Sequence, residues 1–185
     1  MHQRLTPVFL LIIACLAASC SFAFADENAA KVKPAGAVPA GAVFERLKSL
    51  AGEWRIAKPA RSTKVTFEVI AGGSVVVEKW QMSPTRSSMT VYSMDGGQLV
   101  FTHYCPQGNA PRLAYSGTGK DGEHRFEFLD GLNLQNPDRS HQHVCWMRFD
   151  SDDSFTRSEI YIRNGEKFDA AKHQDSPQVF VRVKK

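Results

Sequence analysis

Apolar and polar residues alternate in short runs along most of this chain, and Gly, Asn and Asp break the runs at intervals. A period of two is the pattern of a strand with one buried face. The runs at 54–59, 64–70, 74–80, 89–94, 98–105, 112–118, 123–129, 141–149, 155–163 and 178–184 read as strands, with 167–172 as a further candidate. Between them lie Ala71-Gly72-Gly73, Asp95-Gly96-Gly97, Gly119-Lys120-Asp121-Gly122, Ser151-Asp152-Asp153-Ser154 and Asn164-Gly165, the residue types that tight turns require. About ten consecutive strands joined in this way predict an all-β fold, an antiparallel up-and-down meander. Closing the meander into a barrel removes its exposed edges, whereas a sandwich would need longer crossovers than most of these.

Ahead of the strands, Val43, Phe44, Leu47 and Leu50 have helical spacing, and Gly52 stops the run. Residues 26–42 are rich in Ala, Pro and Gly with almost no large apolar group, the composition of a flexible tether. The folded unit is therefore expected at 43–185. If the hairpins alternate ends, the turns at 71–73, 95–97, 119–122 and 151–154 share one end. The longer connections at 81–88, 106–111 and 130–140 share the other with Asn164-Gly165, and long loops are where binding residues concentrate. The helix would plug the short-turn end, giving a cup with a closed floor.

Candidate chemistry falls at the long-loop end. His103 and Cys105 share a strand face with Leu99 and Phe101, and alternation places His141, His143 and Cys145 with Met147 and Phe149. Both sets read as inward, against Trp80 and Trp146, which read as outward. A His-x-His strand points two imidazoles the same way, so His103, His141 and His143 are candidate ligands for a metal or haem iron. The structural alternative is a set of hydrogen-bonded histidines lining a wet mouth. Cys105 and Cys145 are separated by two strands of the meander, so they read as free, packed thiols rather than a disulfide, which needs Cα atoms within roughly 7 Å. Asn109 and Arg112 flank the mouth, where Arg112 would clamp a ligand anion or bond loop carbonyls. Asp130, Asn133 and Asp138 are candidates for a hard cation or for turn capping. Phe101, Phe126, Phe128, Met147 and Phe149 would wall the cup.

Composition narrows the class. Arg4 followed by the apolar run from Val8 to Ala18 and by Ala23-Phe24-Ala25 predicts an export signal over residues 1–25. Cys20 or Cys15 is the alternative, as a lipid anchor. Removing residues 1–25 takes away one Arg and no acid, which lowers the formal charge from +4 to about +3. Scattered and mild, that charge argues against nucleic-acid binding. The mature chain has no apolar run long enough to span a bilayer as a helix. A periplasmic or secreted address follows.

Gly52-Glu53-Trp54 after a short helix resembles the G-x-W start of lipocalin-like (calycin) barrels, in which the Trp closes the floor. Lipocalins often set a basic residue of the last strand over that Trp, and Arg182 is the candidate. Residues 91–105, with Thr102-His103-Tyr104-Cys105, then Gly108-Asn109-Ala110-Pro111-Arg112-Leu113 and Phe128-Leu129-Asp130-Gly131-Leu132-Asn133-Leu134, resemble a family of secreted bacterial lipocalin-like proteins of unknown function. The resemblance implies a β-barrel and an exported address, and carries no reaction. A looser similarity at the level of fold links the chain to nitrobindin-type haem barrels, whose iron is held by one His. The function expected is binding of a small, partly apolar ligand in the cup. The alternatives are a metal or haem protein, possibly an enzyme, and a non-catalytic envelope protein acting through partners. No cofactor is identified, and no P-loop, dinucleotide fingerprint, HExxH or nucleophile elbow is present.

Overall fold

Ten antiparallel strands close into a barrel in simple meander order in the computed structural model, which describes residues 38–119 and 121–184. The predicted export signal, Cys15, Cys20 and most of the tether lie outside the described residues. A short helix, α1 (Ala40–Lys48), leads into β1 (Gly52–Lys58), β2 (Lys64–Ile70), β3 (Val75–Ser83), β4 (Arg86–Asp95) and β5 (Gln98–Tyr104). Then follow β6 (Ala110–Thr118), β7 (His124–Leu132), β8 (Ser140–Phe149), β9 (Ser154–Arg163) and β10 (Gln178–Arg182). Pairing of β1 with both β2 and β10 closes the sheet. The helix begins at Ala40, three residues earlier than its apolar spacing predicts, because the backbone of Pro39 accepts the first turn's N–H bonds from Ala42 and Val43.

The helix plugs the short-turn end, as expected. Val43, Phe44, Leu47 and Leu50 are buried in one core with Trp54, Leu99 and Phe155, and Arg46 donates to Asp152 at 2.9 Å in the β8–β9 turn. Trp54 donates its indole N–H to the Leu50 carbonyl at 2.7 Å. Arg182 of β10 lies opposite Trp54 and stacks its guanidinium over the ring, 4.3 Å from the centroid. Its nitrogens donate to the carbonyls of Ser49, Ala51 and Asp152, each at 2.9 Å. One side chain thus ties helix, first strand, last strand and a turn, combining cation–π attraction with charge-assisted bonds. Gly52 makes room for it: its φ is +130°, and a Cβ there would sit 3.2 Å from Arg182 Nη1.

Above the plug the lower barrel is solid. Phe155 stacks flat on Phe180 at 4.5 Å and meets Trp54 edge-on at 4.9 Å, while Tyr92, Phe101 and Phe126 pack together at 5.1–6.3 Å. Phe126 and Met147, expected in the wall of a cup, belong to this core and are buried.

Register shifts interrupt several ladders, and the expected long connection at 81–88 is mostly strand, with only Pro84 and Thr85 between β3 and β4. Two further departures bear on the site. Residues 167–172 are not a strand: the Asp169 carbonyl accepts the N–H groups of Lys172 and His173, and its carboxylate that of Ala171, closing a local turn. In β8 the ladder with β9 shifts between Gln142 and Val144, a β-bulge. Cys145 still faces Glu159, but Gln142 now stands opposite Tyr161 and His141 opposite Ile162. His141 and His143 are thereby turned away from the interior face they were expected to share with Cys145.

Phe155→Ala should lower stability by about 3–5 kcal/mol, because a fully buried ring bearing on Trp54, Phe67 and Phe180 leaves a cavity. A urea titration checks this, with the midpoint falling and the slope unchanged.

Candidate functional site

At the open end the interior turns polar, and a cavity of about 470 Å³ remains. Its wall includes Arg61 and Arg86 at the rim, Met82, Trp80 and Pro106 along the sides, and His103, Cys105, Glu159, Tyr161 and Gln178 deeper in. A smaller hollow of about 150 Å³ continues beneath it, sharing Trp80, Glu159, Tyr161 and Gln178 and reaching Arg157. A larger groove of about 640 Å³ lies on the outer face of β2–β5, but its Lys64 and Lys79 are already ion-paired with Glu53 and Glu68. The mouth cavity is the one that joins buried titratable groups to apolar walls, the usual composition of a binding site.

A buried charge cluster forms the floor. Glu78 of β3 is fully buried and accepts from Arg157 of β9, from the Trp80 indole and from the Tyr92 hydroxyl, the last at 2.6 Å. Arg157 Nη2 lies 2.6 Å from Glu159 Oε1, and its guanidinium covers the Trp80 ring at 5.5 Å. Desolvation opposes the charge on Arg157, yet Cys145, Glu78, Tyr92 and Glu159 together outweigh it and hold the guanidinium well above its ordinary range. Such a pair is held by geometry and shared hydrogen bonds, since desolvating two ions otherwise exceeds their attraction.

From Glu159 a chain of contacts climbs into the cavity. The Tyr161 hydroxyl donates to Glu159 at 3.3 Å and meets His103 Nε2 at 3.3 Å, while His103 Nδ1 meets Thr90 Oγ1 at 2.9 Å. Burial raises the Tyr161 hydroxyl well above its ordinary range and lowers the His103 imidazole, so both are neutral near pH 7. Cys145 is buried beside Arg157, and burial pushes its thiol up to about 12. Both described cysteines are free, and Cys105 is the partly exposed one.

The expected site residues separate into distinct groups. His103 and Cys105 line the mouth cavity. Asn109 is buried and donates to the Ser140 carbonyl at 2.8 Å, pinning the β5–β6 loop to β8. Arg112 forms a two-pronged pair with Asp130 on an outer face, so neither is free for a ligand or cation there. Asn133 donates to the Gly108 carbonyl at 3.1 Å, and the Asp138 N–H is capped by Asn136. Phe128, His141 and His143 gather on the other side of the wall, where His143 stacks between Phe128 and Phe168. Among the described residues no group of three or more His, Cys, Asp or Glu side chains converges as metal ligands. A haem iron also finds no free imidazole at His103, both of whose nitrogens face hydroxyls.

Glu78, Arg157, Glu159, Tyr161, Arg61 and Arg86 escaped the sequence reading. Glu78 and Arg157 occupy inward positions that alternation reserves for apolar residues, and Trp80, read as outward, packs inside against Phe180. Trp146 does face outward, yet it is buried there, donating to Asp175 of the 164–177 segment at 2.9 Å. The inward placement of Glu78 and Trp80 shows only in the strand pairing, where Trp54, Val65 and Trp80 share one face on neighbouring strands. No protein-family model matches this chain, and no curated protein is significantly similar to it. No helix among the described residues is long and apolar enough to cross a membrane.

Arg157→Met should lower stability by about 3 kcal/mol or more, and adding Glu78→Leu should recover most of it, since one partner alone strands a buried charge. Chemical denaturation of the two variants checks this. Under native conditions a disulfide reagent should modify Cys105 and leave Cys145 untouched until denaturant is added, as read by peptide mapping.

Proposed function

We propose that this chain is an exported, lipocalin-like binding module that takes a small, partly apolar ligand with an anionic end into the mouth cavity. The observation that carries the reading is the sorting of groups in that cavity. Met82, Trp80, Pro106 and the Tyr161 ring supply apolar surface, and Arg61 and Arg86 bring two guanidiniums to the rim. Glu159 is the one acid among the lining residues, and it is engaged by Arg157 and Tyr161. Donors at the rim therefore exceed acceptors, which favours an anion, and guanidinium geometry suits sulfonate, carboxylate or phosphate oxygens. The packed core below sets the depth, so the ligand is short and lies near the mouth.

Membership of the calycin type is supported by Gly52-Glu53-Trp54 after the helix and by Arg182 stacked on Trp54. Export to the periplasm or beyond is supported by the signal-like residues 1–25, and an N-terminus at Asp26 in protein recovered from the cell envelope is the corresponding observation. The sequence and the cavity name no reaction.

Calorimetry with octanesulfonate and 1-octanol, two probes that differ in charge, tests the reading. The sulfonate should bind at one site, quench Trp80 fluorescence and bind about tenfold or more tightly than the alcohol. Arg61→Gln with Arg86→Gln should remove that advantage. Failure of octanesulfonate to bind, or unchanged affinity in the double variant, would overturn the proposal.

A further inference from the structure

The two ends of the mouth cavity carry opposite charge. Arg61 and Arg86 stand exposed at the rim, and the one acid of the wall, Glu159, belongs to the inner end. There the hollow of about 150 Å³ is lined by Trp80, Arg157, Glu159, Tyr161, Ser176 and Gln178. Two carboxylates, Glu78 and Glu159, meet a single guanidinium, that of Arg157. Burial raises Tyr92, Tyr161 and Cys145 and lowers His103, so none of the four carries charge near pH 7. The inner end therefore holds one negative charge in excess, in a place where an unbalanced charge is costly.

Glu78 is out of reach of a ligand, being fully buried among Arg157, Trp80 and Tyr92. Glu159 is within reach. It lines both parts of the cavity, and 24 % of its side chain stays exposed. Its Oε1 faces Arg157 and its Oε2 accepts from Tyr161, which leaves each oxygen a second lone pair. The hydroxyls of Tyr161 and Ser176 and the amide oxygen of Gln178 add further acceptors to the same wall.

A carboxylate or sulfonate pushed into this hollow would face Glu159 and add to the excess. An uncharged end would leave the excess as it is. A primary ammonium cancels it, and its three N–H donors find acceptors in the wall. The hollow has the volume of about five waters at about 30 Å³ each, which suits an ammonium on one or two methylenes and excludes a bulky headgroup.

We propose that the inner hollow is a subsite for a primary ammonium, so that the ligand is a linear amino acid with its amine and its acid at opposite ends of an apolar chain. This rests on the mouth cavity being an anion site, and extends its ligand from an anion to a zwitterion. The acid lies against Arg61 and Arg86, the methylenes run along Met82, Pro106 and Trp80, and the amine sits on Glu159. An α-amino acid, with both charges on one carbon, serves only one end.

Calorimetry with 8-aminooctanoate, 8-hydroxyoctanoate and octanoate at about pH 7.5, where carboxylate and amine are both charged, tests the subsite. The three share the acid and the chain and differ at the far end. The amine should bind about tenfold or more tightly than octanoate, and more tightly than the hydroxyl compound. Glu159→Gln, which keeps the shape and removes the charge, should abolish the advantage of the amine over the hydroxyl compound. Because Glu159 also holds Arg157, Gln178→Leu is the second variant; it removes one acceptor and should narrow the advantage about threefold. An amine no tighter than octanoate or than the hydroxyl compound, or an advantage undiminished in the folded variants, would overturn the subsite. The two ends fail separately. If neither octanoate nor octanesulfonate binds, the anion reading falls, and octylammonium against 1-octanol decides the inner end alone: preference for the ammonium upholds it, and equal or absent binding overturns it.

Discussion

The buried ion pair between Glu78 and Arg157 divides the barrel, and the rest of the interior is arranged around it. Below it the interior is aromatic and packed, closed at the floor by Trp54 under Arg182. Above it the groups are polar, because Glu159, Tyr161 and His103 continue the network upward toward the mouth. Hydrogen-bond partners offset part of the desolvation of a charge pair in the middle of a small barrel, although the Arg157 Nε has none. Trp80 and Tyr92 supply those partners to Glu78, so residues from β3, β4 and β9 must meet at one depth. That requirement links strand register to the depth of the cavity.

The bulge in β8 decides what the histidines can do. Without it His141 and His143 would face inward with Cys145 and lie nearer His103. With it Gln142 takes the inward place and the two imidazoles serve the outer wall, where they hold the connection between β9 and β10. The barrel therefore has a polar pocket on the inside and an aromatic-histidine clamp on the outside, on opposite faces of the same strand. Ser176, near the end of that connection, and Gln178, the first residue of β10, line the wall of the pocket.

Much of the architecture was legible before the structure. The order of the strands, the plugging helix and the closed meander follow from period-two patterning, helical spacing and turn chemistry, which are local and repeat along the chain. Trp54 at the floor and Arg182 over it were legible only through a resemblance. The site was far less so. His103 and Cys105 do line the mouth, but Arg112 is spent on Asp130, and Phe126 and Met147 fill the core. Glu78 and Arg157 were invisible because a charged residue at an inward position looks, by pattern alone, like a residue facing water.

By itself the sequence determined the fold class, the direction of the cup and the plug at its floor, because hydrophobic alternation and glycine-rich turns act over a few residues. Tertiary structure alone decided how much of the cup is hollow, which histidines face inward and which arginine is buried. Each of these depends on a contact between residues far apart in the chain: Glu78 with Arg157, Gln142 opposite Tyr161 across a bulge, and His143 against Phe168. One extra residue in a strand reverses every side chain beyond it, and no periodicity in the amino-acid string announces where that residue will be accommodated.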